Sequence, residues 1–212
     1  MNTEMLVFII EIIGTVAFAS SGAMVGIRKK MDIFGVIVMA ITTAVGGGII
    51  RDLILGIKPP NTFRNPVYVT YSIVTAVILF VIFYVKKQML DSRALFYYEK
   101  IMILLDAIGL GAFTVIGVET AYAIGYGPQK FLLLFVGVIT GVGGGVIRDM
   151  MAQQIPFILV KQVYACASLL GACVCVWLMP YHKSFSMILG AVTVVIIRIL
   201  AATYRWDLPK ID

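Results

Sequence analysis

The residues most able to do chemistry in this chain come as a repeated heptad. Residues 46–52 read Gly-Gly-Gly-Ile-Ile-Arg-Asp, and residues 143–149 read Gly-Gly-Gly-Val-Ile-Arg-Asp. Each copy puts three positions without side chains one turn ahead of an Arg-Asp step. Three successive glycines weaken a helix by about 1 kcal/mol each relative to alanine. Such a run either admits a neighbouring backbone or opens into an unwound turn. An opened turn presents carbonyls on one side, which attract cations, and N–H groups on the other, which attract anions. A single triplet is equally well read as close packing. Two triplets, each followed by Arg-Asp, favour a functional break at Gly46, Gly47 and Gly48 and at Gly143, Gly144 and Gly145.

The medium that surrounds these motifs follows from composition. Of 212 residues, 61% are hydrophobic and 13% charged, with a mean hydropathy of +1.01. So few charges cannot coat a globule, and the chain needs lipid as solvent. The formal net charge is +6, but the basic residues gather in short loops, as on the cytoplasmic side of membrane proteins. Nucleic acid is therefore not an expected partner. The first apolar run has no basic residues before it and Arg28-Lys29-Lys30 after it, which reads as a retained first helix and not a cleaved leader. Cys166, Cys173 and Cys175 share one apolar run, with neither disulfide nor zinc-site spacing.

Runs of roughly 20 apolar residues, enough to cross about 30 Å of hydrocarbon, occur near 5–27, 33–57, 67–85, 101–124, 131–151, 157–179 and 185–204. The expected fold is all-α, a polytopic membrane protein of seven transmembrane helices. Lys58, Arg64, Lys130 and Lys183 fall on the side of the N-terminus. The opposite side has Arg28, Lys29, Lys30, Lys86, Lys87, Arg93, Lys100, Lys161, Arg205 and Lys210. Four against ten makes the second side cytoplasmic, with the N-terminus outside.

Self-similarity extends beyond the heptads. Pro59 and Pro156 follow them at equal distance. Upstream, Glu11, Gly14, Ala17, Phe18 and Gly22 align with Asp106, Gly109, Ala112, Phe113 and Gly117. Downstream, Val67, Tyr68 and Ser72 align loosely with Val163, Tyr164 and Ser168. The chain divides into a first three-helix repeat (1–88), a cytoplasmic linker (89–100), a second repeat (101–180), and a seventh helix with a tail (181–212). Three spans per unit invert the second relative to the first, an arrangement that places transport sites near midplane at the repeat interface.

The repeated charges then predict two clusters, Glu11 with Arg51 and Asp52, and Asp106 with Arg148 and Asp149. They would cap the two ends of a midplane constriction, because charges at membrane depth need partners. Thr43 and Thr140, just before the triplets, are candidate pathway residues together with the glycines. Ser20, Ser21 and Thr42 are weaker candidates, more often bonded to their own helix. Glu119 is equally a solvated helix end or a site residue. Arg198 could pair with Asp106 or Asp149. His182 reads as exposed.

Seven spans, a three-plus-three inverted repeat and Gly-Gly-Gly-x-x-Arg-Asp at 46–52 and 143–149 resemble the prokaryotic branch of the trimeric intracellular cation channel family. The resemblance covers nearly the whole chain. It implies a homotrimer with one pore per protomer, lined by glycine-kinked second and fifth helices. It also implies monovalent cations, chiefly potassium and sodium, as permeant species, in a cytoplasmic (inner) membrane with lipid as the other partner. The Lys-Glu-Val motif that animal members use for anionic lipid is absent. Some bacterial relatives are similar to transporters of small amino acids such as glycine, which is the alternative reading. No cofactor or metal is expected. With no nucleophile–base pair or metal cluster in the sequence, the chain does not read as an enzyme.

Overall fold

A computed structural model describes residues 3–85, 92–160 and 163–206. Lys86, Lys87, Lys161 and Lys210 of the charge count, and the start of the linker at 89–91, lie outside them. The described residues contain helices and no strand: α1 (Thr3–Arg28), α2 (Ile33–Ile54), α3 (Asn61–Arg64), α4 (Val67–Val85), α5 (Ser92–Ala121), α6 (Lys130–Met151), α7 (Phe157–Val160), α8 (Tyr164–Leu178) and α9 (Lys183–Tyr204). A π turn, Tyr122–Tyr126, ends α5 and turns at Gly125, whose φ is 104°. The protein is a polytopic, all-helical membrane protein, and six of its helices are long and apolar enough to span a bilayer.

Two expected boundaries shift. The span expected at 33–57 ends at Ile54, and the span expected at 157–179 is not one helix. A four-residue helix, α7, precedes α8, whose entry residue Val163 is left-handed at φ 50°. The 15 residues of α8 rise about 22 Å, short of a full hydrocarbon crossing. The first half has the same layout, with the four-residue α3 before α4. Helix α5 also starts at Ser92, so most of the expected 89–100 linker is helical.

Caps set where the helices start and stop. Asp32 accepts from the Gly35 N–H at 2.7 Å and opens α2; His182, exposed as expected, accepts from Phe185 N at 3.3 Å and opens α9. Helices α2 and α6 close alike. Ile57 N donates to Asp52 O at 2.8 Å with Gly56 at φ 73°, and Gln154 N donates to Asp149 O at 2.9 Å with Gln153 at φ 54°. This is the Schellman stop, and glycine takes its left-handed position at one end only.

Helices α1 and α5 form the centre and pack on each other. The Phe18 ring covers Gly109, and the Phe113 ring lies against Gly14. The two rings meet at 5.3 Å between centroids. Helices α2 and α4 pack on α1, and α6, α8 and α9 pack on α5. Helix α4 buries only Ser72 and Ala76. Its Val74, Ile78, Val81 and Ile82 are exposed, an apolar face suited to lipid or to another protomer.

Candidate functional site

The two glycine triplets meet each other. A Cβ added at Gly47 would run into the Thr140 carbonyl oxygen, and one added at Gly144 into the Thr43 carbonyl oxygen. A Cβ at Gly143 would lie 3.0 Å from Gly47 Cα. Pairing 43 with 144 and 47 with 140 makes α2 and α6 antiparallel, in backbone contact at their crossing. Both helices remain α-helical through their triplets, so the expected break is not present. The reason lies in the contact: each triplet supplies the flat surface that the other needs, and an intact helix keeps its carbonyls satisfied. The glycines do face the interior, with Gly46, Gly47 and Gly143 to Gly145 buried and Gly48 partly so.

Beyond the crossing, each helix ends in its Arg-Asp step. Arg51 and Arg148 lie four residues past the contact glycines, so they stand on opposite sides of the crossing, about 12 Å apart along its axis. Each aspartate works with both oxygens. Asp52 Oδ1 accepts from Arg51 Nε at 2.8 Å, and its Oδ2 accepts from the Asn61 N–H at 2.7 Å. Asp149 Oδ1 accepts from Arg148 Nε at 2.8 Å, and its Oδ2 accepts from the Phe157 N–H at 3.0 Å. One carboxylate thus orients the arginine and anchors the first N–H of the short helix after the proline, as a capping group does.

The two clusters differ in how the upstream acid is used. Arg148 is completely buried. Its Nη2 lies 2.8 Å from Asp149 Oδ1, and its Nη1 donates to Asp106 Oδ1 at 2.6 Å and to Ser21 Oγ at 2.5 Å. The Phe157 ring lies 5.5 Å from its Cζ. Arg51, also buried, has its Nη2 2.8 Å from Asp52 Oδ1. Glu11 accepts a hydrogen bond from the Tyr68 hydroxyl. It shares a cavity of about 40 Å³ with Arg51 and makes no ion pair to it within 4 Å. Both arginines therefore approach a carboxylate inside the protein, as the repeated charges predict, and only the Asp106 cluster is joined throughout by ion pairs.

A family model described as "Glycine transporter" matches residues 8–84 and again 103–180. The UPF0126 inner membrane protein YadS of Escherichia coli K12 is 35% identical over 97% of this chain and 96% of its own. A solved prokaryotic TRIC channel superposes with a TM-score of 0.87 at 34% identity, covering 97% of this chain and all of that one. The TRIC trimeric intracellular cation channel orthologue from Rhodobacter sphaeroides superposes at 0.83 and 32% identity, covering 93% and 97%. The chain belongs to the prokaryotic TRIC family. Its UPF0126 relatives are members of the same family.

Other residues of this TRIC protein settle into definite places. Thr43 and Thr140 are buried, and each donates to the carbonyl four residues back, Met39 and Val136, at 2.6 Å. Thr42 does the same toward Val38 at 2.8 Å. Ser20 is buried. Arg198 is buried over the Tyr164 ring, 4.5 Å from its centroid. Tyr164 is itself beside Gly145, whose added Cβ would lie 3.0 Å from the hydroxyl. Glu119 is buried and paired to Lys183 at 2.7 Å, a partner that sequence spacing did not reveal. Tyr68 and Tyr164 had no assigned role beforehand. The available signal was their repetition, a polar hydroxyl at the same place in two apolar runs.

Proposed function

We propose that this TRIC-family chain is a homotrimeric channel for monovalent cations, potassium and sodium, with one path in each protomer along the α2–α6 crossing. The observation that carries the reading is the placement of two charged clusters at opposite ends of an antiparallel glycine crossing, in a chain that superposes closely on solved TRIC channels. Glu11, half-buried and outside the Arg51–Asp52 pair, would raise the local concentration of cations at its end before entry. The packing at Gly47 and Gly144 corresponds to a shut path, so conduction requires α2 and α6 to separate. Thr43 and Thr140 would then face the opening. In this reading residues 1–88 and 101–180 act as two inverted units. The N-terminus lies outside the inner membrane and the C-terminus in the cytoplasm, and lipid covers the exposed apolar faces.

A second reading, a transporter of a small amino acid such as glycine, is favoured by the description of the matching family model. A shut crossing with a pocket on one side also suits alternating access. Purified protein in liposomes separates the two. Rapid potassium efflux down its gradient, without uptake of radiolabelled glycine above protein-free vesicles, is the expected result. Saturable glycine uptake with no potassium flux would overturn the channel reading in favour of the transporter.

A further inference from the structure

Lys58 and Arg64 are exposed at the ends of the link that carries α3, and neither belongs to a charged cluster. Arg64 Nη2 donates to the Lys58 carbonyl oxygen at 2.6 Å, which draws the two basic residues to one edge. Among the described residues, neither has a carboxylate within 4 Å. From this edge a groove of about 570 Å³ runs between α2 and α4. Ile41, Val45 and Ile49 of α2, Phe63 of α3, Val69 of α4 and Ile147 of α6 line it. Its hydroxyls are Thr42 and Thr62, and Thr42 is spent on the Val38 carbonyl. Between Ile41 and Ile50 the groove follows α2 for about 13 Å, close to half of the roughly 30 Å of hydrocarbon in a bilayer. It is one leaflet deep, apolar within, and cationic at the membrane surface.

We propose that this groove binds one phospholipid with a net negative headgroup, from the leaflet on the side of the N-terminus. One acyl chain lies along α2, between α4 and Ile147, and the phosphate lies on Arg64 and Lys58. Charge selects the occupant. A zwitterionic headgroup offsets its own phosphate and leaves the two cations unmatched, whereas an anionic one gains from each of them. Free phosphate gains nothing from the apolar lining. A second copy of this chain fits poorly, because it presents Lys130 and Lys183 on the same side of the membrane. Among its described acids there, Glu4 alone is exposed, and Glu119 is already paired to Lys183. The groove passes Gly46, where an added Cβ would meet Ile147 Cδ1, so the chain rests on the flank of the α2–α6 crossing. The site holds whichever solute crosses the membrane.

The test is native mass spectrometry of the delipidated full-length protein in detergent, titrated with phosphatidylglycerol, with phosphatidylcholine of the same chains, and with glycerol phosphate. Phosphatidylglycerol should saturate at one molecule per protomer, with phosphatidylcholine at least about tenfold weaker and glycerol phosphate unbound. The double variant Lys58→Gln with Arg64→Gln should bring phosphatidylglycerol down to the level of phosphatidylcholine. Val69→Trp, which fills the groove from α4, should weaken both lipids by about tenfold or more. Phe63→Ala, at an exposed position, should also weaken both, and it serves where Val69→Trp does not elute as folded protein on size exclusion. Lys130→Gln, a basic residue on the same side but away from the groove, should bind as the wild type does. Equal binding of the two lipids, binding of glycerol phosphate alone, or lipid binding unchanged in Val69→Trp and Phe63→Ala overturns the proposal. Loss of the oligomer in Val69→Trp with no loss of lipid also overturns it, and assigns the groove to a second copy of the chain.

Discussion

Arg148 is the residue with the most to lose. It is enclosed on all sides and balanced by Asp106 and Asp149. Removing it leaves two carboxylates in a dry interior, a change that costs about 3–5 kcal/mol when one partner of a buried pair is deleted. Arg148→Ala should therefore lower the melting temperature of the purified protein sharply or prevent its accumulation, while Lys29→Ala leaves it unchanged. Equal, mild effects would mean that Arg148 is solvated in the membrane-bound protein. Arg148→Lys should not restore stability, because an ammonium cannot hold Asp106, Asp149 and Ser21 from one planar fork. The acids and arginines of both clusters were legible in the sequence because each recurs at a fixed distance from a glycine triplet. Ser21 was legible only as a candidate lining residue. Its role as an acceptor for Arg148 depends on the rotation of α1 against α6, which spacing along one helix does not encode. Tyr68 was hidden for a similar reason, since Glu11 lies 57 positions away.

Among the elements, α2 and α6 decide most. The expected break failed because the same residues can serve two ends, and the choice depends on what faces them. Equivalent triplets near a pseudo-two-fold axis meet each other, and their contact supplies the packing that keeps both helices intact. Substitution separates the positions within one triplet. Gly144→Ala would put a methyl group into the Thr43 carbonyl and Gly47→Ala one into the Thr140 carbonyl. Each should destabilise by about 1–3 kcal/mol, the usual cost of overpacking. Gly48→Ala, with open space at its Cβ, should be neutral or stabilising by up to about 1 kcal/mol through helix propensity. Thermal melts of the three variants in detergent check the ordering; equal losses at all three would show that the crossing is loose. The start of α8 falls at Tyr164 and not at 157, and the sequence hid this because residues 157–179 are apolar almost throughout. The interruption is marked by Val163, left-handed at φ 50° just before α8, a backbone conformation that an apolar run does not announce.

At the scale of the molecule, the inverted arrangement was the most legible feature. It is carried by matched residues in both halves, and their contacts are reciprocal: Phe18 on Gly109 answers Phe113 on Gly14, and Thr43 with Gly144 answers Thr140 with Gly47. Helix α9 lies outside this pattern, and its Arg198 covers Tyr164 beside the Asp106 cluster, adding a cation to that half alone. On the proposed path, two ends linked by a shut crossing make a specific demand on the conducting state. The crossing must open enough to wet Thr43 and Thr140, both buried and bonded to their own helices here. The most direct measurement is therefore thiol modification of Thr43→Cys and Thr140→Cys by a water-soluble reagent during potassium flux, in a background lacking Cys166, Cys173 and Cys175. Reaction at both positions, with loss of flux as each is modified, is the predicted result. Intact flux with neither position reactive would contradict a path along the α2–α6 crossing.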